Sequence, residues 1–205
     1  MILFKLFQSI YDYFYYSKTY LDLSKQGLTE LPADLVKYKK LHTLNCFDNK
    51  ITKMTELPAS LKELICSNNQ LKVLPNLPCS LKLLNCCNNN LIELPELLNG
   101  SLQILDCSYN KLFDLPELPD SLQKIFCSNN KLIEVPQLPA SIQSLFCYNN
   151  QLSVLPILPN SLKYLECSEN PIDFDFNFPI TIENREKYNE KLEQRAMLYP
   201  VFHHL

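Results

Sequence analysis

Seven cysteines, Cys46, Cys66, Cys86, Cys107, Cys127, Cys147 and Cys167, are each followed three residues later by an asparagine: Asn49, Asn69, Asn89, Asn110, Asn130, Asn150 and Asn170. The interval is 20 residues, with one step of 21. A fixed short period constrains a chain more tightly than its composition does. A unit of this size cannot bury its own apolar face and must stack on copies of itself. The expected product is a solenoid.

One unit, LKELICSNNQLKVLPNLPCS at 61–80, shows how a coil is built. In LKELIC, Leu64 and Cys66 alternate with Ile65, the period-two pattern of a short strand with one buried face. After the asparagine the spacing becomes three, at Leu71, Leu74 and Leu77, with Pro75 and Pro78 beside them. That spacing suits polyproline II or a tight helical turn, and two prolines so close oppose an α-helix. Each coil returns to its starting edge, so successive strands run parallel in a right-handed superhelix. Two glycines in 205 residues cannot supply the tight turns, and asparagine, which tolerates left-handed backbone, is the available substitute.

The pattern LxxLxCxxNxL followed by xxLPxLPxS resembles the leucine-rich repeat family, with cysteine where many members carry leucine. Seven repeats begin at Leu41, Leu61, Leu81, Leu102, Leu122, Ile142 and Leu162, after a divergent leading copy, YLDLSKQGLTELP at 20–32. The LPxLP form is similar to the bacterial effector subclass, and the cysteine- and asparagine-rich spelling is similar to proteins of giant amoeba-infecting viruses. The resemblance implies a right-handed solenoid with a concave parallel β-sheet, a convex side of extended, polyproline-like or 3-10 segments, and helical caps at both ends. Three departures stand out: Thr55 replaces a proline, LLNGS at 97–101 inserts one residue, and Pro171 follows the last asparagine. The insertion predicts a small bulge at Asn99 and Gly100 on the convex side. The expected organisation is an N-terminal helical cap over 1–17, repeats over 18–172 and a C-terminal cap with an extended segment and helix over 173–205.

The seven periodic cysteines are expected to form an inward ladder at roughly the ~4.8 Å strand spacing, each thiol acting as a small apolar side chain. A one-dimensional stack does not converge tetrahedrally on a metal, and parallel side chains one strand apart do not point at each other for a disulfide. No metal or cofactor is therefore expected. Cys79 and Cys87 lie off the ladder, and Cys87, facing outward beside Cys86, is the candidate for a reactive thiol. The seven asparagines are expected to hold the turns, bonding backbone groups of their own and the neighbouring coil, the role the family also implies.

Lys plus Arg number 19 against 22 Asp plus Glu, which leaves no basic excess for nucleic acid. No run approaches the ~18–20 apolar residues of a membrane-crossing helix, and MILFKLFQSIYDYFYY, broken by Lys5 and Gln8, lacks a signal-peptide cleavage site. The expected location is intracellular, the host cytoplasm if the source is viral. Leu3, Leu6, Phe7, Ile10 and Phe14 recur at helical spacing, which fits a cap, with shallow membrane contact as the rival reading. Beyond the repeats Ile172, Phe174, Phe176 and Phe178 alternate with polar residues, and 182–199 predicts a helix with Tyr188, Leu192 and Tyr199 on one side, stopped by Pro200.

Strand alternation also reads the outward side of the sheet: Thr43 and Asn45, Glu63 and Ile65, Leu83 and Asn85, Ile104 and Asp106, Lys124 and Phe126, Ser144 and Phe146, Tyr164 and Glu166. Phe47 and Tyr148 lie one step further along. The family usually binds partners on this concave face. The expected partner surface comprises Ile65, Leu83, Ile104, Phe126, Phe146, Tyr148 and Tyr164, since contiguous exposed aromatics mark interfaces; ordinary cross-strand packing is the competing account. The repeats offer no Ser, His and acid constellation, and His42, His203 and His204 stand apart from any nucleophile. The reading is a non-enzymatic module binding a protein partner, of viral or pathogen origin and acting on host proteins. An adaptor recruiting a host ubiquitin ligase and a structural virion component are the alternatives.

Overall fold

A computed structural model of the chain describes residues 16–97, 100–173 and 182–198. Eight three-residue strands lie parallel in chain order: β1 (Tyr20–Asp22), β2 (Thr43–Asn45), β3 (Glu63–Ile65), β4 (Leu83–Asn85), β5 (Ile104–Asp106), β6 (Lys124–Phe126), β7 (Ser144–Phe146) and β8 (Tyr164–Glu166). Register is direct, each central residue facing the next across the sheet from Leu21 and Leu44 to Leu145 and Leu165. Those central residues are buried, as are all seven periodic cysteines, so leucine and thiol rows line one continuous core. The described residues form a stack of coils around that one core.

The strands are short because a left-handed residue ends each one. Asp48, Asn68, Asn88, Tyr109, Asn129, Asn149 and Glu169, each two residues past a ladder cysteine, have φ between 53° and 57°. Asparagine fills four of these places, and in the leading copy Lys25 adopts the same conformation. Asparagine there also bonds from coil to coil: Asn88 Nδ2 donates to Asn68 Oδ1 at 2.8 Å and Asn149 Nδ2 to Asn129 Oδ1 at 2.7 Å.

On the convex side 3-10 helix occurs, among the described residues, only at Leu35–Lys37 in the leading copy. The remaining convex segments are irregular, consistent with prolines that remove backbone donors. The proline of each LPxS stretch instead opens a turn back to the sheet. Leu61, Leu81, Leu122, Ile142 and Leu162 donate their N–H groups to the carbonyls of Pro58, Pro78, Pro119, Pro139 and Pro159 at 2.9–3.1 Å. The coil with the extra residue lacks that proline, and Ser101 N donates to Cys79 O at 3.1 Å instead. Asn99, half of the predicted bulge, lies outside the described residues, as does Leu98 beside it. Serine before a repeat adds a further tie on several coils: Ser60, Ser121 and Ser141 Oγ donate to the carbonyls of Leu41, Leu102 and Leu122 at 2.7–2.8 Å, whereas the buried Ser161 hydroxyl finds no such acceptor.

Helix α1 (Ile182–Leu198) covers the far end of the stack. Its inward face carries Tyr188, which is buried, and Leu192, which packs against the core. Tyr199 and the predicted extended segment from Phe174 to Phe178 lie outside the described residues. So does the predicted N-terminal helical face from Leu3 to Phe14. Tyr16 is described: its hydroxyl donates to Asp34 Oδ2 and its ring meets Tyr38 edge-on at 4.9 Å.

Candidate interaction surface

Direct register turns each repeat position into a row on the sheet's outward face. One row runs Thr43, Glu63, Leu83, Ile104, Lys124, Ser144, Tyr164 and the next Asn45, Ile65, Asn85, Asp106, Phe126, Phe146, Glu166. In the second row polar members serve their own turn. Asn45, Asn85, Asp106 and Glu166 each accept the N–H two residues ahead, at 3.1–3.2 Å. Ile65, Phe126 and Phe146 cannot accept such a bond. Their presence forgoes a local tie that most coils keep.

Phe126 and Phe146 stack with ring centroids 5.0 Å apart and an interplanar angle of 15°. Each shields one face of the other, so both are partly buried rather than openly exposed. Of the predicted patch only Tyr164 is openly exposed, at 61%. Ile65, Leu83, Ile104 and Tyr148 are partly buried, and Ser144, set in register between Lys124 and Tyr164, is buried. Tyr148 shares a 3.1 Å hydrogen bond with Tyr109, from two coils back, hydroxyl to hydroxyl. Tyr109 escaped the strand alternation because it occupies a left-handed turn position, where period two no longer gives direction.

The asparagine row lies at the edge of this surface and is committed to backbone. Asn130 Nδ2 donates to Cys107 O on the preceding coil at 3.1 Å and to Cys127 O on its own at 3.0 Å, while its Oδ1 accepts Leu112 N at 3.1 Å. Asn49, Asn69, Asn89, Asn110, Asn150 and Asn170 make the same set of bonds, Asn49 with the leading copy.

All nine cysteines are free thiols. Burial pushes Cys66, Cys86, Cys107, Cys127 and Cys147 well above the usual thiol range, and neighbouring rungs push the same way. Cys46 and Cys167, at the ends of the ladder, rise to about 12. Cys87 also rises, to about 11, through burial and the nearby Asp106 carboxylate. That environment disfavours the thiolate a reactive cysteine needs. Among the described residues no group of three or more His, Cys, Asp or Glu side chains is placed to hold a metal ion.

The Leucine Rich Repeat family model matches residues 101–125. The coil it covers is repeated along the stack with strands in direct register. The chain is a leucine-rich repeat protein. No curated protein matches it in sequence. Among solved structures, YopM from Yersinia enterocolitica is 36% identical with a TM-score of 0.73, over 78% of this chain and 36% of YopM. A Shigella effector LRR domain is 27% identical with a TM-score of 0.60, over 94% of this chain and 81% of that one. The functional domain of InlJ from Listeria monocytogenes, which includes a cysteine ladder, is 27% identical with a TM-score of 0.69, over 82% of this chain and 37% of InlJ. These leucine-rich repeats thus span about a third of YopM's length.

Proposed function

We propose that this leucine-rich repeat protein is a non-enzymatic interaction module that takes a protein partner on its concave face, centred on Phe126 and Phe146. The supporting observation is their stack, in which two consecutive coils give up a local turn bond to place aromatic rings on the outward side of the sheet. Tyr164 extends the patch by one coil, and Tyr148 borders it. Aromatic side chains offer large contact area and few rotatable bonds, which suits them to interface centres. Similarity to bacterial effector repeats supports a pathogen protein that acts on host proteins inside the cell. No described helix is long and apolar enough to cross a membrane.

The test is affinity capture from the native cell with the wild type and with Phe126→Ser plus Phe146→Ser. Selective loss of partners from the double variant, with an unchanged circular dichroism spectrum, is the expected result. An unchanged partner set would remove this patch as the site.

A further inference from the structure

A second apolar feature lies away from the concave sheet, on the ridge just past the asparagine row. Ile92, Phe113 and Ile133 each follow the first buried leucine after the asparagine, on three consecutive coils, and are exposed by 52%, 52% and 58%. Backbone bonding continues along the ridge, with Ile133 N donating to Phe113 O at 3.3 Å. The core does not need these side chains, since the buried residues beside them are Leu91, Leu112 and Leu132. Three large apolar side chains in register form a stripe roughly ~10 Å long at the ~4.8 Å strand spacing.

Charge flanks the stripe asymmetrically. The position two residues earlier carries Lys111 and Lys131, and the position one residue later carries Glu93, Asp114 and Glu134, all of them exposed. Lys131 Nζ sits 5.3 Å from the centre of the Phe113 ring, which places the basic row directly against the apolar one. Among the described residues Lys111, Glu93, Asp114 and Glu134 take part in no ion pair. The ridge therefore reads basic, apolar, acidic across its width. Such a surface is complementary to itself under one operation. A two-fold axis along the stacking direction brings apolar row to apolar row and sets each basic row opposite the partner's acidic row. A two-fold axis across the stripe would instead oppose like charges.

We propose that this ridge is a homodimer interface, in which a second copy of the chain docks side by side with its coils in register. Ile92, Phe113 and Ile133 meet their counterparts, Lys111 faces Asp114 of the other copy, and Lys131 faces its Glu134. A stripe three coils long falls short of the ~20–30 residues per side of a standard interface. The dimer is accordingly weak and concentration-dependent.

Sedimentation equilibrium of the full chain over a wide concentration range, at low and high salt, tests this. The wild type should shift from monomer to dimer with rising concentration, more weakly in high salt. Phe113→Ser plus Ile133→Asp should remain monomeric with an unchanged circular dichroism spectrum. Lys131→Glu and Glu134→Lys should each weaken association about 10-fold or more, and the double swap should restore most of it. A wild type that stays monomeric throughout overturns the proposal, whatever else covers the ridge. A dimer that survives Phe113→Ser plus Ile133→Asp, or a double swap that restores nothing, also overturns it. None of these variants touches Phe126 or Phe146, so failure here leaves the concave-face reading standing.

Discussion

Tyr188 Oη accepts the N–H of Leu155 at 2.7 Å and donates to the carbonyl of the same residue at 2.5 Å. Asn189, the next residue, repeats the arrangement three residues further along the same coil, accepting Leu158 N at 2.9 Å and donating to Leu158 O at 3.0 Å. Helix α1 thus ties down, by side chains, backbone groups at the open end of the stack. Tyr188→Phe leaves a buried N–H and a buried carbonyl without partners, at ~1–3 kcal/mol for each unsatisfied group. The denaturation midpoint should fall with an unchanged dependence on denaturant, since the surface exposed on unfolding stays the same.

Asn130→Ala removes four contacts at once: the donations to Cys107 O, Cys127 O and Ser128 O and the acceptance of Leu112 N. The loss joins two coils, so its effect should exceed that of Tyr188→Phe and reach at least ~3 kcal/mol. Hydrogen exchange should reveal faster opening at Leu112 than at Leu91, which is held by Asn110.

Glu169 holds a left-handed φ of 54° at a place where four other coils carry asparagine. Left-handed backbone costs most L-residues ~1–2 kcal/mol, and asparagine bears it better. Glu169→Asn should raise stability by up to ~1 kcal/mol, visible as a higher thermal midpoint. Asn88→Ala should lower it, through backbone strain and through loss of the bond to Asn68.

The thiol ladder makes the fold alkali-sensitive. Burial raises Cys46 and Cys167 from an ordinary value of 9.0 to about 12 when folded, and it also holds the rungs between them well above 9.0. Below 9 both states hold the thiol proton and stability is unaffected. As pH rises from about 9 towards about 12 only the unfolded chain loses protons, so each rung removes ~1.4 kcal/mol of stability per pH unit. Unfolding should begin before the folded thiols ionise. Cys127→Ala starts from a lower stability because it leaves a cavity, and its stability should fall less steeply with pH.

Stacking of Phe126 on Phe146 predicts a coupling energy of ~0.5–1.5 kcal/mol in a double-mutant cycle with alanine. Coupling near zero would mean that the two rings lie side by side without supporting each other.

Much of this molecule was written in its period. Spacing of cysteine and asparagine specified the coil, and alternation around Leu64, Ile125 and Leu145 specified which side chains enter the core, because both depend on neighbours within a few residues. Resemblance to leucine-rich repeats then implied a parallel sheet, and the strands run in that order. The concave rows were legible for the same reason. What alternation cannot supply is rotamer and mutual distance. Alternation presents Phe126 and Phe146 as open aromatics, yet each covers the other once their strands stand side by side.

Sequence by itself determined the repeat, the inward leucine and thiol rows and a helix expected over 182–199 and found at Ile182–Leu198, since local periodicity carries all of these. Only the tertiary structure decided that Tyr109 reaches Tyr148 across two coils, that Tyr188 closes on Leu155, and that Ile92, Phe113 and Ile133 stand exposed in one line. Those relationships join residues 20 to 41 positions apart. They depend on how far each coil steps and rotates against the next, a quantity set by packing throughout the stack.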